Sequence, residues 1–189
     1  MKNRFKSFLI FTLVLVSSSL SFGQNTMNPP EGYDHDTGTM VSMLENLRAR
    51  IIYSTQELNQ EQTDFLLDDK ANRIGAMIMH LAATEVYYQA YTFEGRGFNK
   101  EEKKKWETAL NLGDEARAEF VGKPIQYYLE IWSKVRQNTL DMLKTKDDKW
   151  FGELAKGGQT DNHWAWFHVM EHQANHMGQI NMLRSRLPE

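Results

Sequence analysis

His168, His172 and His176 stand four residues apart in the stretch Asn162 to Arg186, which holds four of the chain's six histidines. Side chains four apart on a helix share a face, with Cβ atoms about 5–6 Å apart, so two imidazoles can turn onto one ion about 2.0–2.1 Å from each. His172 and His176 make such a clamp. Two histidines do not complete a metal site, and the third ligand must come from His35, His80, His163 or His168. A single histidine on a mostly apolar helix is more often a satisfied core residue than a ligand. His80, inside the apolar run Ile74 to Tyr91, nevertheless becomes the best candidate once the clamp is taken with it.

Spacing excludes several familiar sites. A zincin needs Glu directly after the first histidine, to serve as base, but here the order is His172-Gln173-Ala174-Asn175-His176. A carboxylate-bridged di-iron bundle needs Glu-x-x-His on two helices, and no histidine of this chain has Glu three residues before it. Three imidazoles with an open fourth position are instead the arrangement of catalytic zinc, although Ni, Cu or Fe would also suit them. Haem has Met and His in its favour but no diagnostic spacing. The absence of cysteine excludes disulfides, thiolate ligands and covalently attached haem.

Four amphipathic segments must position these residues. In the last, Asp161 or Asn162 offers an N-cap, and Trp164, Phe167, Met170, Ala174, Met177, Ile180 and Leu183 recur at helical intervals until Arg184, Arg186 and Pro188. The first starts near Met40 and keeps its period through Met43, Leu44, Leu47 and Ile51 to about Ser54. The second, capped by Asn72, buries Ile74, Met77, Ile78, Leu81, Glu85 and Tyr88, which sets His80 about 100° off the stripe in a row with Thr84, Tyr87 and Tyr91, facing a cavity. Glu85 has two readings of equal weight, an ion pair within the bundle or a hydrogen bond to a metal-bound histidine. The third opens at Gly122-Lys123-Pro124 and runs through Ile125, Tyr128, Trp132, Val135, Thr139 and Met142. Between them, Lys100 to Leu110 reads as a short charged surface helix, and Trp150 and Phe151 as a roof over the core or a pocket. No alternating strand interrupts, so the expectation is an all-α four-helix bundle with its metal site between helices two and four.

The N-terminus carries Lys2, Arg4 and Lys6, then the apolar run Phe8 to Val16 and Ser21-Phe22-Gly23, the pattern of a secretory signal over residues 1–23. The expected organisation is that signal, a polar flexible arm over 24–39 that includes His35, and one helical domain over 40–189. Cleavage would remove three positive charges and no negative ones, taking the formal net charge from -3 to -6, which does not suit a nucleic-acid partner. A periplasmic or secreted protein without a stable membrane anchor follows, acting on an unidentified small molecule, with a homodimer left open.

These residues resemble the DinB/YfiT-like four-helix metalloproteins, a family of thiol-dependent S-transferases and metal-dependent hydrolases. The likeness rests on His80-Leu81-Ala82-Ala83-Thr84-Glu85, on Gly122-Lys123-Pro124 with Tyr128 and Arg136, and on Phe167-His168-Val169-Met170-Glu171-His172-Gln173-Ala174-Asn175-His176-Met177-Gly178-Gln179-Ile180. It implies His80, His172 and His176 as ligands to zinc, or another divalent ion such as nickel. His168 falls at a position that orients the site or touches substrate. The departure is the signal, since the better understood transferases use a cytosolic thiol. A hydrolase is therefore expected ahead of a transferase, with a non-catalytic metal-binding bundle as the alternative.

Overall fold

The structure, a computed structural model, describes residues 26–188. The signal expected over 1–23 lies outside the described residues, among which there are eight α-helices and no strand. The four long helices fall where the apolar periods placed them: α1 (His35–Thr55), α3 (Ile74–Gln89), α6 (Ile125–Leu143) and α8 (Asn162–Arg184). Between them come α2 (Gln60–Asp64), α4 (Lys100–Asn111), α5 (Gly113–Glu119) and α7 (Asp148–Phe151). α1 packs on α8 and α6, and α3 packs on α6, α8 and α4. No helix of the described residues is long and apolar enough to cross a membrane.

Three local expectations change. α1 starts at His35 rather than near Met40, because its N-terminus is capped from a distant part of the chain. The Asp148 carboxylate accepts from the backbone N–H groups of Asp36 and Thr37 at 2.9 and 3.1 Å, and Asp34 in turn accepts from the Asp148 N–H at 3.2 Å. At α3 the N-cap is Arg73 rather than Asn72. Finally, α3 buries more than a stripe: every residue from Ile74 to Glu85 is buried. Packing of α6, α8 and α4 on different sides explains this, since a helix surrounded by neighbours has no solvent face.

α4 does form as a charged helix, capped by a reciprocal Asn99–Glu102 box, but it also supplies a wall. Trp106 and Ala109 turn inward while its lysines stay in water. α3 continues into a π-helical segment, Ala90–Glu94, which ends where Gly95 takes a left-handed φ of 67°.

The apolar core has two parts. Ile78, Trp106, Ile125, Tyr128 and Trp132 fill the side bounded by α3, α4 and α6, and Leu44, Leu143, Phe151 and Trp166 fill the side bounded by α1, α7, α8 and the end of α6. A buried polar network joins the four long helices. Arg136 of α6 donates to Glu85 of α3 at 2.7 and 3.0 Å, to Gln173 of α8 at 3.0 Å and to Glu45 of α1 at 2.8 Å. Burial works against the guanidinium charge, but Glu85 and Glu45 outweigh it and hold Arg136 above its ordinary range.

Candidate metal centre

α3 contributes His80, and α8, whose N-terminus Asp161 caps through a 2.7 Å bond from the Trp164 N–H, contributes His172 and His176. The possible ligand atoms of the three all lie within 4.8 Å of one another. Their ring centroids are 4.6–4.8 Å apart, pair by pair.

Two hydrogen bonds orient the cluster. His80 Nδ1 lies 3.0 Å from the Ala109 carbonyl oxygen of α4. A carbonyl only accepts, so Nδ1 carries the proton and Nε2 is left with a free lone pair. His176 Nδ1 lies 2.9 Å from Gln179 Oε1, one helical turn on. With the amide oxygen as acceptor, His176 also keeps Nε2 for the cluster. His172 Nε2 stands 2.7 Å from His80 Nε2, so in the protein alone His172 donates to His80. A metal would require that His172 proton to leave or to move to Nδ1.

Electrostatics favour neutral rings. Burial lowers His172 to about 3, with the neighbouring His176, His80 and His168 adding to the shift. Burial followed by His80 lowers His176 to about 4, and burial lowers His80 as well. Near neutral pH the site therefore offers three uncharged imidazoles, the form that binds metal. Two of them have the hydrogen-bonded outer partner usual for metal-ligating histidine. The donor set fits a borderline divalent ion.

The remaining histidines stand elsewhere. His168 is not part of the cluster; its ring is 5.6 Å from that of His172, stacks on Trp164 at 5.3 Å and approaches Tyr88 at 5.7 Å. It walls the site. His35 is exposed beside Asp36, and His163 stacks on Phe151 at 4.6 Å. Of the two readings for Glu85, the structure builds the ion pair. Its oxygens accept from Arg136, from Trp132 Nε1 at 3.1 Å and from Thr139 Oγ1 at 2.5 Å, and no histidine bonds to it.

Trp164 covers His168, and Tyr87 stacks parallel to Tyr91 at 6.2 Å. Trp150 roofs the core, as one of the two readings for it had it, stacked on Phe93 at 5.2 Å under the Lys146 ammonium. A cavity of about 360 Å³ adjoins Gln179 and is lined by Asn72, Met77, Met182 and Leu183 among others. Ala109 and Gln179 are the positioning groups that sequence reasoning missed. Gln179 lies three residues after His176, a helical pairing distance, whereas a backbone carbonyl carries no sequence signal.

Compared with family models, residues 39–188 match the one described as MST, Mycothiol-S-transferase. No curated protein matches the chain.

Proposed function

The chain belongs to the mycothiol-S-transferase family, within the DinB/YfiT-like superfamily, and from that premise we propose that it is a metal-dependent transferase that joins a small thiol to an electrophile. The proposal includes a DinB-like four-helix bundle in which His80, His172 and His176 hold one divalent ion, zinc first and nickel second. The observation that carries it is the convergence of three neutral imidazoles, two of them oriented by hydrogen bonds, with neither His168 nor Glu85 in the cluster. A site closed for structure alone would take a fourth protein side chain.

When bound, the ion would supply positive charge that favours the anionic form of a thiol or water at the open position. His80 and His176 hold their Nε2 lone pairs on the cluster through Ala109 and Gln179. His168 and Tyr88 form one wall.

A second reading, hydrolysis, is favoured by the basic and apolar leader, since an exported protein has no assured supply of a cytosolic thiol. We include export in the proposal; the protein isolated from its native host should then begin near Gln24, and an intact Met1 would remove that part. The function is tested by presenting metal-loaded protein with electrophiles, with and without added thiols, and with ester, amide and phosphoester panels. Turnover only with a thiol is the expected result. Turnover of an ester or amide without thiol would establish hydrolysis, and inactivity across both panels in protein that retains metal would favour a non-catalytic bundle.

A further inference from the structure

Thr84 is out of character for this chain. Thr39, Thr55, Thr63 and Thr92 turn their hydroxyls back to the carbonyl four residues earlier, and Thr37 and Thr139 donate theirs to the Asp148 and Glu85 carboxylates. Thr84, mid-way along α3 and only 6% exposed, has a buried Oγ1 with no hydrogen-bond partner. The ordinary back-bond to the His80 carbonyl is a standard way for a helical threonine to satisfy itself. A buried hydroxyl without a partner reduces stability, and native structures contain few.

Its position suggests what the hydroxyl serves. Thr84 is one turn after His80 and one turn before Tyr88, on the same face of α3. Across from that face, His172 and His168 are likewise one turn apart on α8. The rings close a frame: His80 to His172 at 4.8 Å, His172 to His168 at 5.6 Å, and His168 to Tyr88 at 5.7 Å. Thr84 stands on the α3 side of that frame, between its two α3 corners.

We propose that the Thr84 hydroxyl is a substrate contact, donating a hydrogen bond to the anionic sulfur or oxygen that the three-histidine site binds. The inference rests on the metal-site reading above. It adds a residue that contacts the reacting atom of a thiol and distinguishes a small anionic donor from a neutral one. An O–H donor aimed at a thiolate forms a charge-assisted bond, stronger than a neutral one. It requires no proton to leave Thr84.

The test uses Thr84→Val, which keeps the shape and removes the hydroxyl, and Thr84→Ser, which keeps the hydroxyl. One readout is the thermal midpoint of the metal-free proteins. The other is binding of 2-mercaptoethanol, and separately azide, to the cobalt-loaded proteins, followed in the visible and near-ultraviolet spectrum. Thr84→Val should melt no lower than wild type yet bind 2-mercaptoethanol about tenfold more weakly, and Thr84→Ser should return the affinity to near wild type. Equal thiol affinity in wild type and Thr84→Val would overturn the proposal while leaving the metal site intact. A lower melting point in metal-free Thr84→Val would also overturn it, by showing that the hydroxyl is satisfied within the protein. Wild-type cobalt protein that binds neither probe would remove the open coordination position on which the proposed function rests, and the proposal with it.

Discussion

Glu85 and Arg136, each 1% exposed, meet through hydrogen bonds of 2.7 and 3.0 Å at the centre of the molecule. Glu85→Ala would leave the guanidinium buried with only Glu45 and Gln173 as side-chain partners. The expected loss is about 3–5 kcal/mol, the usual result of removing one member of a buried pair. Urea unfolding measures it. A change below about 1 kcal/mol would mean that water reaches Arg136 in the variant.

Removing any one of His80, His172 or His176 should release most of the metal, because three ligands reduced to two leave no stable site. His35→Ala and His163→Ala should retain it, since neither side chain belongs to the cluster. Elemental analysis of proteins purified without added metal gives the answer, and a His80→Ala protein that keeps a full complement would show that the third ligand is misassigned.

Gln179→Leu should fold normally yet hold metal about 10–100-fold more weakly, as expected when the outer partner of a ligating histidine is lost. Competition with a chromophoric chelator reads the affinity. Unchanged affinity would show that the ring is held by packing alone.

Acid should weaken the metal-free protein through its histidines. The folded-state values of His172 and His176, about 3 and about 4, lie below the ordinary histidine value of 6.5. The unfolded chain therefore binds protons that the folded chain does not. Their contribution is complete above pH 6.5 and is lost as the pH falls towards 4 and then 3. In urea titrations across that window, His172→Gln should lose less stability than wild type. Parallel curves for the two proteins would contradict the assignment.

Local signals were legible in the sequence. The four long helices announce themselves because their apolar periods are local, and the His172–His176 clamp because four residues make one helical turn. His80 needed the apolar run around it and the family resemblance. The all-round burial of α3 hid its true environment, because a stripe reading assumes a solvent face. Interactions between distant segments were not legible. Arg136 reaches Glu45, Glu85 and Gln173 across 91, 51 and 37 residues of sequence. The Asp148 cap of α1 spans more than 110 residues, so no local rule could start that helix at His35. Glu85 had two satisfactory partners in principle, and only the packing of α6 on α3 chose between them.

The π-helical turn at Ala90–Glu94 acts as a phase boundary. Residues before it, His80 and Thr84 among them, follow the angular register of α3, while Tyr91 and Phe93 within it follow another. That second register brings the Tyr91 hydroxyl to Thr160 at 3.1 Å and the Phe93 ring onto Trp150. A one-residue deletion here would return the turn to α-helical pitch, changing which side chains of 90–94 meet the 150–160 loop while leaving His80 and Thr84 in the register of α3. The rim that meets that loop and the three-histidine cluster can thus diverge independently, with insertions or deletions near residue 90 altering the rim and not the cluster.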